Sequence, residues 1–150
     1  LAGGGAEGAQ AQLGFMYSTG QRVPQDDAES VRWERLAAEQ GNPRAQYNLG
    51  VSYATGQGVP QDDAEAVRWY RLAADQGDDI AQYNLGVMYA NGRSVPQDDV
   101  QAHMWTNLGA SPMTAGEEPA RRELAVKSRD LIARLMTPAQ LAEAQRLNPA

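Results

Sequence analysis

The 150-residue sequence contains no cysteine, and it has only one histidine and one phenylalanine. The lack of cysteine excludes disulfide bonds and thiol chemistry, and it leaves the cellular compartment open. No apolar run approaches the roughly 18 residues of a transmembrane helix, so the sequence predicts no membrane insertion. Thirteen basic residues stand against nineteen acidic ones, and the resulting net charge of −6 disfavours a nucleic-acid-binding surface.

The most prominent feature of the sequence is an internal repeat of 36 residues. Leu13, Leu49 and Leu85 are 36 residues apart (49 − 13 and 85 − 49), and other residues follow the same step. These further sets are Gly14, Gly50 and Gly86; Tyr17, Tyr53 and Tyr89; Gly20, Gly56 and Gly92; Val23, Val59 and Val95; and Trp33, Trp69 and Trp105. A fixed period of this length is typical of stacked structural repeats, in which neighbours complete a shared apolar core.

Each repeat is predicted to contain two helices, as the middle repeat illustrates. Asn42 and Pro43 suit the start of a first helix, which Gly56 would end in the left-handed conformation. Asp62 suits the cap of a second helix, and Gly77 suits its end. The two helices of a repeat would then form a hairpin joined by a short connector.

Two packing expectations accompany this assignment. Gly50 lies inside the first helix, where glycine costs about 1 kcal/mol relative to alanine. We therefore expect a neighbouring helix to approach Gly50 too closely for a side chain. In the second helix, the helical spacing predicts a buried stripe of Ala66, Trp69, Leu72 and Ala73.

The repeated pattern A-x-x-x-L-G-x-x-Y-x-x-G-x-G-V-x-x-D, followed by A-x-x-W-x-x-x-A-A-x-x-G, resembles the Sel1-like repeats, which are relatives of tetratricopeptide repeats. The match covers residues 1–110 closely. It departs at Gly58, which is Arg22 in the first repeat and Ser94 in the third. The resemblance implies an all-α, right-handed superhelical solenoid that binds other proteins, with no cofactor.

The chain is predicted to be one array. Residue 1 is not methionine, and Gly5 lies one period before Gly41, so we expect a fragment or processed form whose targeting sequence would lie outside this chain. A capping box at Thr137, Pro138 and Gln140 predicts a last helix from Pro138 to about Leu147. The predicted divisions are the end of a preceding repeat at 1–8, three repeats at 9–44, 45–80 and 81–116, and C-terminal capping helices at 117–150.

Residues able to carry chemistry are few, and each has a structural explanation. His103 could be a general base or a metal ligand, but it takes the place of Val31 and Val67, and no second histidine or cysteine could complete a metal site. The aspartate pairs at 26–27, 62–63 and 98–99 coincide with predicted helix starts and lack the alternating pattern of a calcium loop. The three tryptophans could stack on bases or sugars, but their helical phase favours core packing.

A second apolar face on the first helices is the remaining feature. Tyr47, Val51 and Ala54 lie opposite Leu49 and Tyr53. We predict that this face lines the concave groove of a superhelix and holds an extended peptide. The alternative is that it only packs repeat on repeat. The candidate binding residues are Phe15, Tyr47, Asn48, Val51, Tyr83, Asn84 and Val87.

The predicted function is a protein–protein interaction scaffold that binds a protein or peptide along this groove, with no catalytic and no metal-binding residues. Two alternatives stay open. One is a hydrolase, because lactamase-like activity has been proposed for some related repeat proteins; it would need a nucleophile and a base within hydrogen-bond reach. The other is a structural spacer within a larger protein.

Overall fold

The computed structural model describes residues 2–92, 95–110 and 119–147, and all regular secondary structure in these residues is helical. The all-α expectation is therefore confirmed for the described chain. Its helices are α1 (Ala2–Thr19), α2 (Asp27–Glu39), α3 (Pro43–Thr55), α4 (Asp63–Asp75), α5 (Asp79–Asn91), α6 (Asp99–Ala110), α7 (Pro119–Leu135) and α8 (Pro138–Leu147).

The helices belong to two compact units, an N-terminal unit (Leu1–Gln76) and a C-terminal unit (Gly77–Ala150). In the N-terminal unit, α1 packs against α2, α2 against α3, and α3 against α4. In the C-terminal unit, α5 packs against α6, and α6 also contacts α7 and α8. The pairs α1–α2, α3–α4 and α5–α6 are the predicted two-helix hairpins.

The ends of the helices follow the predicted capping chemistry. The side chain of Asn42 accepts a hydrogen bond from the backbone N–H three residues later, at 2.9 Å. Asp26, Asp62 and Asp98 accept the equivalent bond at 3.1, 3.2 and 3.1 Å. Gly56 ends α3 with a left-handed φ of 76°. The first aspartate of each pair is thus a helix cap, which typically stabilises a helix by about 1 kcal/mol.

The second helix of each repeat packs directly against the glycine inside the first helix of the same repeat. A Cβ added at these glycines would lie 2.7, 2.8 and 2.6 Å from a side-chain atom of the second helix. The pairs are Gly14 with Glu34, Gly50 with Tyr70, and Gly86 with Thr106. The predicted close approach to Gly50 is therefore confirmed, and it recurs in all three repeats.

The prediction that Leu72 belongs to the buried stripe of α4 is wrong. Leu72 is 39% exposed, and the equivalent Leu36 on α2 is 40% exposed. At 3.6 residues per turn, Leu72 points about 130° away from the middle of the buried arc. That arc consists of Ala66, Trp69, Tyr70, Ala73 and Ala74. Two aromatic residues and three alanines fill this interface, and Leu72 lies outside it.

The region predicted to cap the array contains α7 and α8. The predicted capping box is confirmed, because the Thr137 N–H donates to the Gln140 side chain at 2.8 Å and the Gln140 N–H donates to the Thr137 hydroxyl at 3.2 Å. Ile132 and Ala144 are buried, whereas the leucines of α7 with described side chains are exposed. The breaker residues Gly109, Pro112 and Gly116 predict a loop over 109–116, but α6 continues to Ala110, and 111–118 lie outside the described residues. Residues 2–8, predicted to end a preceding repeat, are continuous with α1, and that assignment stays a prediction.

The connectors of the first two repeats reach the same backbone conformation with different residues. Gly58 has a φ of 75°, and a Cβ at this position would lie 2.3 Å from the carbonyl oxygen of Asp27. Arg22, which replaces this glycine in the first repeat, has a φ of 64°. A left-handed backbone is costly for any residue with a Cβ, so the connector at Arg22 is strained.

The two connector positions should therefore respond to substitution in opposite directions. Arg22→Gly should raise the free energy of unfolding by about 0.5–1 kcal/mol, because glycine relieves the left-handed strain but loses more chain entropy. Gly58→Ala should lower it by about 2 kcal/mol or more, because it adds the same strain and a clash with backbone. Urea denaturation of both variants measures the changes. A loss below about 0.5 kcal/mol for Gly58→Ala would contradict the connector geometry.

Candidate functional site

The seven predicted binding residues are divided between the two units. Four lie in the N-terminal unit, on α1 and α3, and three lie in the C-terminal unit, on α5. The former are Phe15, Tyr47, Asn48 and Val51, and the latter are Tyr83, Asn84 and Val87. That all seven form one surface stays a prediction, and the residues of each unit are described by themselves.

Three of the predicted residues share an open cavity of about 240 Å³ in the N-terminal unit, which we call the α1–α3 cavity. They are Phe15, Asn48 and Val51, and Phe15 is 43% exposed. The other lining residues are Ser18, Asp27, Ser30, Glu34, Ser52 and Gln57. The cavity therefore combines an accessible aromatic ring with hydroxyl, amide and carboxyl groups.

A second open cavity of about 330 Å³ adjoins the first, because Phe15 and Asn48 line both. Its remaining lining residues are Gly8, Ala11, Gln12, Asn42 and Arg44. Phe15 and Asn48 therefore lie at the junction of a continuous concave surface on α1 and α3.

The two predicted tyrosines have intramolecular partners. The Tyr47 ring is half-buried, and its centroid lies 5.8 Å from the centroid of the Tyr70 ring. The guanidinium carbon of Arg44 lies 6.0 Å from the centroid of the Tyr47 ring. The Tyr83 hydroxyl is 3.2 Å from the Ser128 hydroxyl of α7. Both tyrosines thus contribute to packing within their own units and are less accessible anchors than Phe15.

Sequence reasoning missed the most unusual residue of the α1–α3 cavity, Glu34. This residue is only 4% exposed, and its Oε2 atom is buried without a hydrogen-bond partner. It takes the position that Tyr70 and Thr106 hold in the other repeats, directly after the repeated tryptophan. The sequence signal that could have identified Glu34 is a carboxyl group at a repeat position where the other two repeats have tyrosine and threonine.

The surroundings of Glu34 favour its neutral form. Burial raises the pKa of the Glu34 carboxyl from 4.5 to about 7; the Ser30 hydroxyl lowers it in part, and the negative charge of Asp27 raises it further. Near neutral pH the carboxyl can therefore donate or accept a hydrogen bond. None of the side chains lining the α1–α3 cavity is basic.

The other residues considered for chemistry lie in helix packing positions or in the core. His103 is half-buried on α6, and burial lowers its pKa, as does Arg129, while Asp130 acts in the opposite direction. Trp69 and Trp105 are buried in the core, as expected. In the part of the chain that the structure describes, no three His, Cys, Asp or Glu side chains are grouped to hold a metal ion. None of the described helices is long and apolar enough to cross a membrane.

The substitution Glu34→Gln should remove a pH-dependent part of the stability. The folded chain keeps a proton on Glu34 that the unfolded chain releases between pH 4.5 and about 7. The contribution of this group is therefore fully present below pH 4.5, falls as the pH rises, and is lost above about 7. The total change in the free energy of unfolding that Glu34 causes over this pH range is about 3 kcal/mol. Urea denaturation at about pH 4.5 and 8 should show Glu34→Gln gaining up to this amount relative to the unsubstituted chain.

Glu39→Gln is the matched control, because Glu39 is exposed on the same helix. It should leave the difference between the two pH values unchanged. Parallel pH dependence of the unsubstituted chain and Glu34→Gln would contradict the burial of the Glu34 carboxyl.

Comparison with known proteins gives a consistent result. The sequence matches the Sel1 repeat model three times, at residues 8–42, 43–78 and 79–111. No curated protein matches the sequence. The structure is similar to that of a protective antigen of uropathogenic Escherichia coli that displays an SLR fold, with a TM-score of 0.71 and 44% identity over 73% of this chain and 24% of that one.

A Sel1 repeat protein from Oxalobacter formigenes is also similar, with a TM-score of 0.69 and 34% identity over 70% of this chain and 42% of that one. The chain therefore spans less than half the length of either relative. Both likenesses agree with the helical-repeat solenoid class expected from the sequence. Because the repeat matches extend over more than half of the sequence, the chain belongs to the Sel1 repeat family.

Proposed function

We propose that the chain is a protein-interaction scaffold that binds an extended peptide segment of a partner on the concave surface of α1 and α3. Sel1 repeat proteins generally act as protein-interaction scaffolds. The observation that supports peptide binding at this particular surface is that Phe15, Asn48 and Val51 line one open cavity. Their membership of a common binding face was expected from the repeat register alone.

The chemistry of this surface suits an extended peptide. Exposed aromatic rings are effective anchors because they bury much area at a small entropic cost. The Asn48 amide offers donors and an acceptor that can pair with a peptide backbone. Since Phe15 and Asn48 line both adjoining cavities, consecutive side chains of one segment could occupy the two. Tyr83, Asn84 and Val87 are proposed to present an equivalent face on α5 of the C-terminal unit.

The hydrolase alternative gains no support from the α1–α3 cavity. The Ser18 hydroxyl donates to the Phe15 carbonyl oxygen at 2.8 Å, and the Ser30 hydroxyl donates to that of Gly14 at 2.9 Å. A serine nucleophile instead needs a base that takes its proton. No observation favours the spacer alternative, and the binding experiment tests it.

Selection of displayed random 12-residue peptides against the chain tests the proposal. Selected peptides should bind Phe15→Ala at least about tenfold more weakly, because a binding anchor is typically worth 2 kcal/mol or more. Asn48→Ala should also weaken binding. Isothermal titration measures the affinities, and circular dichroism checks that each variant is folded.

Leu36→Ala is the matched control, because Leu36 is exposed to a similar extent as Phe15 and lines neither cavity. Its affinities should equal those of the unsubstituted chain. If the selected peptides bind the Phe15 and Asn48 variants undiminished, or if no peptide is selected, the proposed surface is wrong.

A further inference from the structure

Repeat one differs from its neighbours at one packing position in the hairpin. Tyr70 and Thr106 cover the first-helix glycine in the second and third repeats, whereas Glu34 covers Gly14 in the first. The Cγ atom of Glu34 would lie 2.7 Å from a Cβ on Gly14, so the stem of the side chain lies against α1. Glu34 is also one of the residues that line the α1–α3 cavity. The exchange thus replaces an aromatic ring by a smaller, acidic side chain beside open space.

One oxygen of the Glu34 carboxyl lacks a hydrogen-bond donor among the described residues. This Oε2 atom is buried and unpartnered, and buried polar atoms in native structures are normally hydrogen-bonded. Ser30, the neighbouring hydroxyl, has one hydrogen, and it donates to the Gly14 carbonyl oxygen at 2.9 Å. Ser30 also lowers the pKa of the Glu34 carboxyl in part, but it is not a partner of Oε2. The cavity that Glu34 lines is the adjoining space from which a donor could approach this side chain.

The charge and shape of the cavity indicate which donor it would be. The charged groups in its lining are the carboxyls of Glu34 and Asp27, both on α2. The lining residues from α1 and α3 are uncharged: Phe15, Ser18, Asn48, Val51 and Ser52. A cation is complementary to this lining, and hydrogen bonds from a cation to a carboxylate are stronger than neutral ones.

Phe15 and Val51 add apolar surface, which suits the methylene stem that lysine and arginine carry behind the charge. The cavity is open and has a volume of about 240 Å³, which leaves room for such a side chain.

We propose that the α1–α3 cavity recognises a basic side chain, lysine or arginine, of the bound peptide, with the Glu34 carboxylate as its acceptor. The inference rests on the proposed function and adds the class of residue that is recognised. Asp27 supplies a second negative charge, and Phe15 contacts the aliphatic stem.

Recognition of a cation by Glu34 is linked to pH. Burial raises the pKa of the Glu34 carboxyl to about 7, and a bound cation would favour the carboxylate and lower that pKa. The affinity for a cation should therefore rise as the pH increases. If only the carboxylate form binds, the gain between pH 5.5 and 8 is about 30-fold.

Titration of the ¹⁵N-labelled chain with N-acetyl-lysine-N-methylamide tests the inference. N-acetyl-norleucine-N-methylamide is the neutral comparison, since it has the same stem without the ammonium group. At pH 8 the lysine probe should shift the amide signals of Ser30, Glu34 and Asn48, and its affinity should fall about 30-fold at pH 5.5. The norleucine probe should bind more weakly and without pH dependence.

Two variants isolate the carboxyl. Glu34→Gln keeps the shape of the side chain and should abolish both the preference for lysine and the pH dependence. Glu34→Tyr introduces the residue that the second repeat has at this position, and it serves as the test if Glu34→Gln does not fold. The tyrosine ring should fill the cavity and remove the binding of both probes. Glu39→Gln, the exposed control on the same helix, should bind as the unsubstituted chain does.

Three outcomes would overturn the inference: no binding of the lysine probe at pH 8, equal binding of the lysine and norleucine probes, or unchanged lysine binding by Glu34→Gln. The proposed function fails separately. Selected peptides that depend on Phe15 but contain no basic residue would support the scaffold and refute the recognition of a cation. Selected peptides that do not depend on Phe15 would refute the binding surface itself.

Discussion

The close approach of two helices at a glycine is the constraint on which each repeat depends. At Gly14, Gly50 and Gly86, a single Cβ atom would collide with the second helix of the same hairpin. Leu49 and Leu85, each directly before such a glycine, are fully buried. The helix accepts a residue of low helical propensity here because the packed interface compensates for it. At Gly86 the added Cβ would also lie 2.8 Å from the backbone nitrogen of Thr106, so a larger residue there would move the helices apart.

The same constraint makes the residue opposite the glycine decisive for local chemistry. A tyrosine there covers the glycine with a ring, a threonine covers it with a methyl group, and a glutamate brings a carboxyl group into the interface. The same glycine contact recurs in the three hairpins, and in the first hairpin the residue opposite the glycine is acidic and lines an open cavity. The residue opposite the glycine can therefore change the chemistry of a repeat without changing its fold, as is general for folds that support different functional sites.

Much of the fold could be predicted because its determinants are local. The caps at Asn42 and Asp62, the left-handed end at Gly56 and the box at Thr137 each involve residues within one helical turn. The exposure of Leu72 could not be predicted, since apolar character does not say where the centre of the buried arc lies.

The site could be predicted only in part. The repeat register placed Phe15, Asn48 and Val51 on one face, and they line one cavity. Glu34 was missed because a charged residue on a helix is normally solvated, and its burial depends on Gly14, which is distant in sequence. The contact of Tyr47 with Tyr70 likewise arises between two helices and has no local signature.

The first repeat buries the acidic side chain of Glu34, whose Oε2 atom has no partner among the described residues, beside a surface proposed to bind peptides. A pH titration of the folded chain, followed at the Glu34 side-chain carboxyl carbon by ¹³C NMR, measures this burial directly. The midpoint should lie near 7, the value that burial gives this carboxyl. A midpoint near the ordinary value of 4.5 would show that the carboxyl is solvated and that Glu34 is not buried.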